Sequence, residues 1–79
     1  MTRNKGNRLD RNPLPDEIRA ARAKAALSQR DAANLVFSST RSWQQWESAI
    51  GTPDHRRMHP AAWWLFKLRT GQATLADLV

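Results

Sequence analysis

The sequence predicts an all-α domain of four to five short helices behind a basic amino-terminal arm, and three observations carry that expectation. Apolar residues recur at helical spacings of three and four from Leu14 onward. Serine, proline and glycine stand where helices start and stop. No stretch alternates apolar and polar residues as a half-buried strand does. The 79 residues give room for one compact domain, whose core is small enough to leave a narrow margin of stability. Hydrophobic residues at 41% and charged ones at 25% are a globular balance, so most of the chain is expected to fold.

The arm is read as residues 1–15, where Arg3, Lys5, Arg8 and Arg11 face the single acid Asp10 among asparagines, prolines and a glycine. It holds almost nothing apolar to bury. The folded domain is read as residues 16–79, only mildly basic with nine Lys and Arg against six acids. Pro15 and Asp16 start a first helix with Leu14, Ile18, Ala21 and Ala25 on one stripe. Ser28 caps a second helix from about Gln29 to Val36, because its hydroxyl can accept an orphan amide hydrogen, and Asp31 completes a capping-box-like pair. Phe37, Ser38 and Ser39 break the pattern. Ser39 caps a third helix that carries Trp43, Trp46 and Ile50 on one face and stops at Gly51, Thr52 and Pro53. After a loop over Asp54 to His59, Pro60 opens a fourth helix ending at Gly71, with Ala61, Trp64, Leu65 and Leu68 as its apolar stripe and Trp63 and Phe66 outside it. A last capped turn presents Leu75 and Leu78.

The net charge of +6 makes a polyanion the default partner. The longest apolar run, Ala61 to Phe66, is far too short to span a membrane, and the amino terminus lacks the apolar core of a signal peptide, so a cytoplasmic protein is expected. Without cysteine there is neither a disulfide framework nor thiolate chemistry. His55 and His59 stand four apart with Asp54 beside them, but Pro60 argues against one helix through both histidines and a third ligand is missing, so no metal is expected. No nucleophile has a base beside it, and neither a phosphate loop nor a carboxylate pair occurs, so no enzyme, cofactor or small-molecule ligand is expected.

The second and third helices, joined by a tight turn, form the helix-turn-helix pattern whose second helix enters the DNA major groove. At about 100° per residue, Thr40, Arg41, Gln44 and Gln45 lie nearly opposite the arc of Trp43, Trp46 and Ile50. One face anchors and the other is free to read. Glutamine brackets adenine in one plane and arginine matches the two acceptors of guanine, so this face suits base edges.

The stretches Ile18 to Arg22, Leu27-Ser28-Gln29, Ala32-Ala33 and Trp43-Gln44-Gln45-Trp46-Glu47 resemble the Cro/lambda-repressor-like helix-turn-helix transcriptional regulators. The run Arg57-Met58-His59-Pro60-Ala61-Ala62-Trp63 is similar to small phage-encoded repressors of that class, which include the anti-CRISPR-associated group. The resemblance implies a lambda-repressor-like domain that binds an inverted-repeat promoter operator in double-stranded DNA as a homodimer and represses its own operon. It places Thr40, Arg41, Gln44 and Gln45 at bases, and Gln29 and Ser39 at phosphates. Arg30 and the arm cations Arg3, Lys5, Arg8 and Arg11 are further phosphate contacts expected from their charge. The resemblance also implies an ion pair between Arg22 and Glu47 across the first and third helices. Two departures stand out, since Ala26 and Phe37 occupy positions where the family places glycine. Ser38 occupies a position that is usually a buried aliphatic, so Phe37 is expected to supply that packing.

A marginal core with excess apolar surface calls for a second subunit, and the homodimer interface is expected at Trp63, Trp64, Phe66, Leu75 and Leu78. The competing expectation is a small protein-interaction module, an antitoxin or inhibitor, that uses the same aromatic carboxyl-terminal surface.

Overall fold

The computed structural model describes residues 11–78 and is all-α. Four α-helices follow one another, α1 (Pro15–Lys24), α2 (Gln29–Leu35), α3 (Thr40–Glu47) and α4 (Pro60–Arg69), and a 3-10 turn (Leu75–Leu78) closes the chain. They form one small globular bundle. Arg3, Lys5 and Arg8 lie outside the described residues, as does the side chain of Leu78.

Local chemistry explains where each helix begins. Proline stands at the first position of α1 and α4, where the missing N–H costs nothing. The Glu17 carboxylate accepts from the Leu14 N–H at 2.8 Å and ties down the start of α1. Ser28 Oγ accepts from the Asp31 N–H and Ser39 Oγ from the Ser42 N–H, both at 3.0 Å, so α2 and α3 carry the serine caps that the spacing predicts. His59 caps α4 through Nδ1, which accepts from the Ala61 N–H at 2.9 Å.

Three helices end in the same way. After α1, α2 and α4 one residue turns left-handed, and its N–H and the next fold back onto the last carbonyls. For α1 the bonds are Ala26 N–H to Ala23 O at 3.0 Å and Leu27 N–H to Arg22 O at 3.3 Å. For α2 they are Phe37 N–H to Asn34 O at 3.2 Å and Ser38 N–H to Ala33 O at 3.0 Å. Only α4 has glycine at that position, Gly71, while Ala26 and Phe37 each adopt φ 58°. The turn geometry is therefore kept without glycine. A left-handed residue with a Cβ is strained by about 1–2 kcal/mol, so Ala26→Gly should raise stability by about 1 kcal/mol after glycine's own entropy cost is met. A higher urea midpoint with unchanged slope would show it, and a lower midpoint would contradict it.

The core is Ile18, Ala21, Ala32, Ala33, Val36, Trp43, Met58, Trp63 and Phe66. At its centre the Trp43 ring packs on Phe66 with centroids 5.0 Å apart and meets Trp46 edge-on at 5.5 Å. Several expectations change here. α4 buries Trp63 and Phe66 and leaves Ala61 exposed, rotating the expected stripe; a helix apolar nearly all round offers no period to choose a face, and facing Trp43 buries the most aromatic area. α3 stops at Glu47, so Ile50 leaves the helix face and is 64% exposed. The stop is set by Ser48, whose backbone turns extended, and by the Arg56 N–H, which takes the Gln45 carbonyl at 3.0 Å. Phe37 is 81% exposed and does not replace the aliphatic expected at Ser38; its left-handed backbone turns the ring outward, under the Arg69 guanidinium at 5.6 Å. Met58, read as loop, is fully buried, and its carbonyl accepts from Asn12 Nδ2 at 2.8 Å.

Candidate functional site

Glu47 holds the helices around α3 in register. Its carboxylate accepts from Arg22 Nε at 2.6 Å and Nη2 at 3.0 Å, from Gln29 Nε2 at 3.1 Å, and from the Trp43 indole N–H. The Arg22 pair implied by the resemblance is thus present, joined by Gln29, expected at a phosphate, and by Trp43 of the anchoring face. Burial pushes the Glu47 carboxyl up, but the hydrogen bonds from Arg22, Trp43 and Gln29 outweigh it and hold the group below its ordinary value. The same bond raises Arg22 above its ordinary value. Arg19 completes the end of α3, donating from Nη2 to the Glu47 carbonyl at 2.7 Å.

With Trp43 and Trp46 packed against the bundle, the side of α3 away from them presents Arg41 and Gln44 as exposed side chains, flanked by half-buried Thr40 and Gln45. The four expected base contacts therefore form one face with two exposed members. Gln44 lines an open groove of about 600 Å³ together with Arg19, Arg22, Ser28, Gln29, Glu47 and Ser48. Gln29, expected at a phosphate, shares that groove, but its amide is bonded to Glu47. Ser39 is exposed with its hydroxyl engaged in the α3 cap, and Arg30 is exposed on α2.

Arg11, the one arm cation that the structure describes, is folded onto α1 in a two-pronged bond with Glu17 at 2.9 and 3.0 Å. That bond raises Arg11 and, as its largest cause, lowers Glu17 from the ordinary value. Both groups line a cavity of about 270 Å³ with Trp63, Trp64 and Lys67. The Lys67 ammonium lies 5.1 Å from the Trp63 ring centre and 4.9 Å from that of Trp64.

The expected interface residues separate. Phe66 is fully buried and Trp63 nearly so, which removes both from any surface of the free chain because they are spent on the core around Trp43. Trp64 is half-buried, and Leu75 is 72% exposed. Among the described residues the other large exposed apolar side chains are Leu14, Phe37 and Ile50, and Leu14 and Ile50 line one groove of about 230 Å³ with Pro15, Asp16 and Ala49.

One partner of the α3 face was not visible in the sequence. Asp54, thirteen residues beyond Arg41, places Oδ1 3.5 Å from Arg41 Nη2. Its loop carries both histidines on backbone groups, His55 Nδ1 at Ser48 O and His59 Nδ1 at Ala61 N–H. Among the described residues no group of three or more His, Cys, Asp or Glu is placed to hold a metal ion. No helix among them is long and apolar enough to cross a membrane. No protein-family model matches the chain and no curated protein matches it, so a functional reading rests on these side chains.

Proposed function

We propose that the chain is a sequence-specific DNA-binding regulator of the Cro/lambda-repressor-like helix-turn-helix type, which sets α3 into the major groove and represses transcription by occluding a promoter. The observation that carries this reading is the division of α3, with Trp43 and Trp46 packed against the bundle and Arg41 and Gln44 exposed on the side away from them. An arginine and a glutamine on one exposed face suit guanine and adenine edges, and the net charge of +6 favours a polyanion. The two-fold form of the proposal, a homodimer on an inverted repeat, draws on the apolar side chains left outside the core.

The test begins by selecting duplexes from a random-sequence pool with the full chain. The enriched duplex is then compared with a scrambled one of the same composition. Arg41→Ala and Gln44→Ala should each weaken binding to the enriched duplex by about 1–3 kcal/mol and leave the scrambled duplex nearly unaffected, since base contacts specify and phosphate contacts do not. Failure to enrich any sequence would reject the reading.

A second reading has its own observation. Phe37, Leu75, Ile50 and Leu14 are at least half exposed, and Phe37 holds its outward position at the expense of a left-handed backbone. Exposed apolar side chains that adjoin mark contact surfaces, and the groove shared by Leu14 and Ile50 supports a protein-interaction module. It needs no nucleic acid, and it stands if the pool selection yields nothing.

A further inference from the structure

We propose that Asp54 is a positioning residue for Arg41, one that occupies the guanidinium when no matching base is present and so sharpens discrimination between DNA sequences; this rests on the DNA-binding reading above. Arg41 is on the first turn of α3 with its side chain 65% exposed. A free arginine there would move to the nearest phosphate of any duplex, adding affinity without information.

The carboxylate that meets it is held by a fastened loop. Arg56 N–H bonds Gln45 O at 3.0 Å, His55 N–H bonds Thr52 O at 3.2 Å, and His55 Nδ1 lies 3.0 Å from Ser48 O. The Arg56 guanidinium donates to Pro53 O at 3.0 Å and to His55 O at 2.8 Å, bracketing Asp54 on both sides. The loop is therefore fastened on both sides of Asp54, while Arg41 reaches it on a long flexible side chain. At 3.5 Å, with both side chains 65% exposed, the pair is loose and readily exchanged. A guanine edge, which offers two acceptors in one plane, can take the guanidinium from it. On a mismatched duplex Arg41 stays with Asp54 and adds no phosphate contact. Specificity here comes from a competing contact within the chain that only the matching base displaces.

The experiment uses the full chain and the same two duplexes, enriched and scrambled, in a cycle of Asp54→Asn, Arg41→Ala and the double variant. Circular dichroism and urea midpoints confirm that each variant is folded. Asp54→Asn should tighten binding to the scrambled duplex by roughly two- to fivefold and steepen its salt slope by about 0.9, the signature of one more phosphate contact. Binding to the enriched duplex should change less, so the ratio falls. Asp54→Glu, which keeps the charge, should retain the ratio. In the Arg41→Ala background Asp54→Asn should alter neither the ratio nor the slope. An equal effect of Asp54→Asn in both backgrounds would overturn the inference, because the carboxylate would then act on DNA directly. An unchanged ratio, with a wild-type chain that still discriminates, would overturn it and leave the DNA-binding reading intact. A wild-type chain that enriches no sequence overturns both.

Discussion

Trp43→Ala should leave the chain largely unfolded at 25 °C. Trp43 is fully buried, touches Phe66 of α4 and Trp46 of α3, and gives its indole N–H to Glu47. Truncating a buried aromatic costs about 3–5 kcal/mol through lost transfer free energy and the cavity left behind. A single core in a domain of this size supplies a net stability of about the same magnitude. The variant also removes one of the donors that offset the desolvation of Glu47. Urea unfolding followed by far-UV circular dichroism measures the effect. Trp43→Phe, which keeps most of the ring volume, should remain folded with a lower midpoint. Trp46→Ala should cost less, because Trp46 is only half-buried. A Trp43→Ala chain with a midpoint near wild type would show that Phe66 and Trp63 form the core without it.

The parts of this fold that could be read from the sequence are those decided within one turn of chain. Ser28 and Ser39 bond amides three residues ahead, and Pro15 and Pro60 fix their own φ, so helix starts follow from local spacing. The features that escaped depend on residues far along the chain. Which side of α4 turns inward is settled by Trp43, and the place where α3 stops is settled by Arg56. Met58 lies in the loop that the sequence predicts, but its burial and the bond to its carbonyl from Asn12, 46 positions away, are not marked by local spacing. For the candidate site, the polar face of α3 was visible because it lies opposite the tryptophans on a single helix. The engagement of Gln29 with Glu47 and of Arg41 with Asp54 was not, since nothing in the spacing of either pair marks a contact.

Glu47→Gln should destabilise the domain by about 3 kcal/mol at neutral pH and flatten its response to acid. Removing one charge of a buried pair leaves the other without compensation, and Arg22 is itself only 22% exposed. The glutamine keeps one acceptor oxygen and brings an NH2 group toward the donors from Arg22, Gln29 and Trp43, so at least one of those bonds is lost. The sign of the pH effect follows from the direction of the shift. Glu47 is held below its ordinary value when folded, so its contribution is fully present above the ordinary carboxylate range and is lost as pH falls through the lowered folded value. Wild-type stability should thus be steady from neutrality to about pH 5 and decline below it, while the Glu47→Gln variant should start lower and decline less. Glu17 is lowered in the same sense by Arg11, but that pair is exposed, with side chains 37% and 50% accessible, and its share should fade in high salt. Measuring urea midpoints against pH at low and high salt separates the two, because the acid response that survives in high salt belongs to the buried Glu47. A Glu47→Gln chain as stable as wild type at pH 7, or one with an unchanged acid decline in high salt, would show that the pair with Arg22 does not hold α1 to α3.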